Sequence, residues 1–373
     1  MRKILDLDVV PVYTKKVKVS FKMNLERSNY FEKTQTGVKR PKQRPGHRSP
    51  GRKGGKTMKK RVWIILALCV LLVSTLVLTA FADGGTVVYV KDGGTGDGSS
   101  AVNAMGDLFA AIDKLDNGGT VVVCGDLSIS PAANTVYTWP ANSGKVTVTG
   151  KYKGVDYTPV IKTSSGKVTV NCTSEILFQH LTINHAGGPS TEFFAGPSLT
   201  FGDGMVFQHE GSEIVYYKDG YICVRMGNTN SACADSYFEI CCGTISYIQG
   251  GYYKYDVTNS QGVVRSGVKI TDFIQCGGTK KNVTRSNVTI EGADVNALYL
   301  GGYGSSAVTG AVTVNAVNTN INYVYGQRSG SGVIVGTESG TISDDLNVTL
   351  DNTTVGAMDL SMLSVTDQQN LTL

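Results

Sequence analysis

The feature that most constrains this chain is a loose repeat of short alternating apolar segments. Its clearest copy is NVTIEGADVNALYLGG, residues 287–302. Val288 and Ile290 flank polar Thr289, Val295 follows a Gly-Ala-Asp turn, and Leu298 and Leu300 flank Tyr299 before Gly301-Gly302. The same order recurs from Val312, from Val348, from Val268 and from Phe238, at spacings of 30, 20, 24 and 36 residues along the chain. Segments of three to five residues with period 2 and many β-branched side chains form strands, not helices. A unit this small cannot bury its own apolar edge, so copies must stack. Variable spacing around a constant pattern means that the loops differ from turn to turn.

A repeat of three short strands stacked on copies of itself predicts an all-β fold, a parallel β-helix with one strand per coil in each of three sheets. Rungs would lie ~4.8 Å apart, with the Gly-Gly pairs at tight corners. A β-sandwich of short strands has similar turn spacing and stays open as the alternative. A second region begins the domain. VVYVKDGGTGDGSS precedes AMGDLFAAIDKLDNGG, and TVVVCGDLSIS follows, within residues 87–129. Leu108, Ile112 and Leu115 recur at helical spacing with Phe109 beside them, which predicts a helix over 105–115 with Asn103 as N-cap and Gly118 as its stop. Its expected role is to cap the apolar end of the stack.

On the repeat and this opening region, residues 85–373 resemble the right-handed parallel β-helix superfamily of pectate lyases and bacterial surface adhesins. The resemblance implies a right-handed solenoid with a short N-terminal capping helix. It leaves activity open, because that superfamily mixes lyases, hydrolases, phage tailspikes and non-catalytic adhesins, and fold alone does not give function.

The chain divides into three parts by composition. Residues 1–57 carry 16 Lys+Arg against 4 Asp+Glu, a net of +12, and residues 39–56 have no apolar face. They are expected to be an untranslated or disordered basic leader, with Met58 as the start of translation. Lys59, Lys60 and Arg61, an apolar run over 62–79 and Ala80-Phe81-Ala82 read as a signal peptide, residues 58–82. The run is long enough to serve as an uncleaved signal anchor instead. Either way residues 83–373 lie outside the membrane, extracellular or on the cell surface, in a host expected to be bacterial. That domain carries 16 Lys+Arg against 26 Asp+Glu, a net of −10, which argues against nucleic acid as a partner. Asn370-Leu371-Thr372-Leu373 repeats the opening of 347–350 and then stops, so the β-helix is expected to be truncated.

Candidate chemistry is sparse. Asp92 and Asp97 lie in a Gly-rich loop that could offer oxygens to Ca²⁺, although turn chemistry explains them equally. Seven cysteines follow the signal (Cys124, Cys172, Cys223, Cys233, Cys241, Cys242 and Cys276), an odd number that suits small core residues better than a disulfide framework. His180, His185 and His209 fall in no nucleophile motif and are expected at turns or on the surface. Arg225, Arg265, Lys269 and Arg285 are the basic positions that a lyase would need, but no carboxylate cluster stands beside them in sequence. Asp203, Glu210, Asp235 and Glu239 are equally unmarked as a glycosidase pair.

Tyrosine is the more suggestive residue. Tyr216, Tyr217, Tyr221, Tyr247, Tyr252, Tyr253 and Tyr255 crowd the stretch where the repeat is least regular. Flat amphipathic rings suit recognition surfaces, and corner packing is the competing account. The expected function is a non-catalytic, adhesin-like surface protein that binds a polysaccharide or a host or cell-surface glycan. A polysaccharide lyase or glycoside hydrolase on the same scaffold, and a structural stalk, are the rivals.

Overall fold

A computed structural model describes residues 85–129, 136–138, 144–163, 168–187, 190–214, 221–252, 254–303, 306–326, 340–360, 363–365 and 371–372. The basic leader, the apolar run and the signal site lie outside these residues. The described chain is all-β, with long parallel sheets consistent with a β-solenoid. Parallel pairing removes the β-sandwich alternative, whose sheets are antiparallel.

Among the described residues the strands form a long sheet of 11, a second sheet of 9 and a short sheet of 5. In each, neighbouring strands follow one another in chain order, one rung per coil, except that Ser212–Glu213 turns back antiparallel on Val206–His209 at the end of the short sheet. The long sheet runs from Thr86–Val90 to Leu371–Thr372, and the second from Val136–Thr138 to Thr354–Asp359. The short sheet runs from Leu127–Ile129 to Ser212–Glu213 and stops there. The three-strand coil therefore holds for the N-terminal coils. The C-terminal coils again carry a third strand, Gly340–Ile342, paired in parallel with Leu363–Val365. Among the described residues, the coils between carry one strand in each of the two larger sheets.

The reason lies in the apolar spacing. Val295 and Leu298 both face the core, three residues apart, on the single strand Asp294–Tyr299. Ile245 and Ile248, and Ile321 and Val324, do the same in their rungs. Period 2 is broken, two adjacent residues face outward, and the strand bends. Segments that read as two strands are thus one bent strand in these later rungs, while the earlier strands Val168–Cys172 and Tyr221–Met226 keep period 2. Lys269–Gln275 carries one extra residue between Ile270 and Phe273 relative to both neighbours, a β-bulge.

Register corrects the repeat itself. Phe238, Gly262, Val288, Val314 and Val348 stand in one column of the long sheet. The steps are 24, 26, 26 and 34 residues. Val268 and Ile270, expected to open a coil, belong instead to the bent part, where Ile270 pairs with Val295. The rung they were standing in for is Val257–Val264, whose inward position holds glycine.

The corners follow from backbone chemistry. After the long-sheet strands the chain turns through left-handed residues, including His180, Gly243, Gly267, Gly292, Asn318 and Asn352. Glycine adopts this conformation without strain, and asparagine tolerates it better than most residues. The helix is Leu108–Asp113, shorter than expected, and its cap is Asp107, not Asn103: the Asp107 carboxylate accepts from the N–H of Phe109 and Ala110. Leu108, Ile112 and Leu115 are buried in the core.

Candidate functional site

The outward positions of the bent sheet form two columns. One runs Glu192, Cys223, Tyr247, Phe273, Ala297, Tyr323. The other runs Phe194, Arg225, Gln249, Gln275, Tyr299, Tyr325. Cys223, Tyr247, Phe273 and Ala297 make a buried cluster of their own, separate from the core, with Tyr299 and Tyr325 packed against it. Rungs place outward rings one above another, so they stack. Tyr247 lies on Phe273 at 4.8 Å, Phe273 meets Tyr299 edge-on at 5.8 Å, and Tyr299 stacks on Tyr325 at 5.3 Å. Tyr323 stands beside Tyr325 at 5.8 Å with rings 11° from parallel. The ladder is buried at Tyr247 and open at Tyr323, which is 43 % exposed. Burial, with Tyr323 and Asp359 nearby, raises the pKa of the Tyr325 phenol.

At the buried end sits an ionic cluster. The Arg225 guanidinium pairs with Glu192 at 3.0 Å and donates to Tyr247 Oη and Gln249 Oε1. Its centre lies 5.1 Å from the Tyr247 ring and 5.0 Å from the Tyr252 ring, a cation–π arrangement. Burial works against the charge, but Tyr247, Cys223 and Glu192 outweigh it and hold the Arg225 pKa above its ordinary value. Tyr252 also meets Phe194 edge-on at 4.6 Å. The cluster ties the segment after Gly250 to the sheet.

Beside the ladder, where the strands bend, lies a groove of about 320 Å³. Lys269, Thr271, Asp294, Asn296, Asn320 and Asn322 supply its polar groups. Asn320 donates to Asp294 at 2.8 Å, and Asn322 donates to Asn296 at 3.2 Å, rung to rung.

Of the tyrosines singled out in the sequence, Tyr216, Tyr217 and Tyr253 lie outside the described residues. Tyr221 begins the strand Tyr221–Met226, with its side chain outside them too. Tyr247 and Tyr252 are buried, at 6 % and 5 %, and converge on Arg225; Tyr255 is 37 % exposed and is not part of that group. Sequence reasoning did not single out Tyr299, Tyr323 and Tyr325 as a group. The available signal was that Tyr299 and Tyr325 hold the same place in successive coils.

Other candidates are engaged within the fold. Asp92 accepts from the N–H and hydroxyl of Ser128, both at 2.7 Å. Asp97 accepts from Ser99 N–H, and hydrogen bonding to Ser99 lowers its pKa. No three His, Cys, Asp or Glu side chains converge as a metal site among the described residues. Glu239 and Glu291 both bind Arg265, at 2.7 and 2.6 Å, on the outer face of the long sheet. His180 does sit at a corner, but His185 is buried and bonds Thr163 and Thr191 inside the coil, with His209 stacked on it at 5.6 Å. Cys124, Cys172, Cys223, Cys233, Cys241, Cys242 and Cys276 are free thiols, with Cys172, Cys223 and Cys276 buried.

No family model, no curated protein and no solved structure matches this chain.

Proposed function

We propose that this chain is a secreted or cell-surface, non-catalytic β-helix protein, adhesin-like, that binds glycan through the outer face of its bent sheet. The observation that carries the reading is the aromatic ladder that surfaces at Tyr323, flanked by Tyr325 and Tyr299. Rings held by stacking lose little freedom on binding, and they offer apolar faces with polar rims. In this reading residues 58–82 export the domain and the basic leader takes no part in binding. The coils wind right-handed, the sense favoured by parallel crossovers, and Leu108–Asp113 caps their first turn.

The test is retention of the full-length chain on immobilised plant, mucin and microbial polysaccharides, with release of new chain ends followed in parallel. Retention without cleavage, lost in Tyr323→Ala, supports the reading. Retention unchanged in Tyr323→Ala moves the site elsewhere. One observation favours a polysaccharide lyase or hydrolase instead: Arg265 gathers Glu239 and Glu291 on an exposed face. Cleavage abolished by Glu239→Gln would establish that rival. Without retention or cleavage from a folded sample, the structural stalk is the better account.

A further inference from the structure

The groove at the bend of the sheet is more specific than an aromatic platform. Its amides are preset. The Asn322 amide is held by Asn296, and Asn296 Nδ2 in turn donates to the carbonyl of Asp272 at 3.3 Å. The Asn320 amide is held by Asp294. Each of these two asparagines spends a donor on the rung before it and keeps its side-chain carbonyl oxygen as an acceptor. Such groups pay little ordering entropy when a ligand arrives. Thr271 lines the same groove and is nine-tenths buried, with its hydroxyl oxygen closed off from solvent, so the groove's accessible polar groups are those of Lys269, Asp294 and the asparagines.

The charges are balanced. Lys269 and Asp294 stand in register on adjacent rungs, one cation to one anion. The volume is at the lower end of the ~300–1,000 Å³ typical of small-molecule sites. The three rungs of Lys269, Asp294 and Asn320 span about 10 Å along the axis. Tyr323 follows Asn322 directly, so a platform for an apolar face borders a row of mixed donors and acceptors. A sugar ring has that combination of an apolar face and a rim of hydroxyls that both donate and accept. An acidic sugar would need an excess of cations, which the groove lacks.

We infer that this groove is a binding subsite for a neutral saccharide, with Asp294, Asn320 and Asn322 taking its hydroxyls and Tyr323 bordering its apolar face. The inference rests on the glycan-binding reading above and names the ligand class and the polar contacts.

The experiment is calorimetric titration of the full-length chain with cellohexaose, xylohexaose and mannohexaose, and with hexagalacturonate as the acidic counterpart. Asn322→Ala and Asn320→Ala are compared with wild type, and melting curves check that each is folded. The expected result is binding of a neutral hexaose, weakened about ten-fold by Asn322→Ala or Asn320→Ala. Binding that falls in Tyr323→Ala but not in the groove variants overturns the subsite and leaves the glycan reading standing. Preference for hexagalacturonate overturns the neutral assignment. Absence of binding to every oligosaccharide and polymer by folded protein overturns both.

Discussion

The ring of Phe238 occupies the space that a side chain at Gly262 would fill, one rung further along the long sheet. A Cβ on Gly262 would overlap that ring. The large and the small residue are one packing unit shared between coils. Removing the ring by Phe238→Ala should cost about 3–5 kcal/mol. Gly262→Ala should cost about 1–3 kcal/mol through overpacking. The double variant should be more stable than the sum of the two, since the added methyl enters the space the ring leaves. A double-mutant cycle by urea denaturation should find coupling above about 0.5 kcal/mol; strict additivity would mean that the two do not share volume.

Arg225 and Glu192 form the most buried ion pair described, with the carboxylate 1 % and the guanidinium 11 % exposed. Arg225→Met leaves a buried carboxylate without its cation and should lower stability by about 3–5 kcal/mol. Adding Glu192→Gln should recover part of that loss, because the stranded charge is gone. If Arg225→Met alone melts like wild type, the pair contributes nothing.

Cys276 supplies a pH test. Burial pushes its thiol up to about 12, with the nearby Ser286 hydroxyl acting in the opposite direction. The ordinary thiol value is 9.0. Between these values the folded state keeps a proton that the unfolded state has lost, so stability is full below about pH 9 and falls as pH rises. The slope from this thiol should approach about 1.4 kcal/mol per pH unit. Urea midpoints from pH 8 to 11 should therefore fall faster for wild type than for Cys276→Ala. Parallel lines for the two proteins would refute the assignment.

Asn171 organises a loop far away in sequence. Its side-chain oxygen accepts from Thr229 N–H and its amide donates to Asn228, both at 3.1 Å, and it is fully buried. Asn171→Ala should cost about 1–3 kcal/mol. The local signature is faster hydrogen exchange at the Thr229 amide, with the amides of Glu175–Gln179 unchanged. Uniform loss of protection would point to global destabilisation instead.

Much of the architecture was legible along the chain. Val288, Val314 and Val348 mark their column because β-branched residues in a period-2 pattern announce a strand wherever it ends up. Gly262 hid its strand, because its core volume is filled by a residue 24 positions earlier. The bend hid the coil shape. Val295 and Leu298 read as two strands until pairing places them on one. Asp107 displaced Asn103 as the cap because the helix begins only at Leu108, where the adjacent Asp107 carboxylate reaches the N–H groups of Phe109 and Ala110.

The tyrosines mark the same divide for the site. Counting along the chain gathers Tyr216 to Tyr255, since proximity in sequence is all that a list can weigh. The solenoid gathers residues about 26 apart, so Tyr299 and Tyr325 stack while Tyr255 stands away from Arg225. The sequence by itself determined that this chain would be built of short, stacked β-strands, because alternation and β-branching act locally. Only the tertiary structure decided which side chains share a rung, since register is a long-range choice settled by packing between coils. That choice set Phe238 over Gly262, closed Arg225 between Tyr247 and Tyr252, and opened a polar groove beside Tyr323.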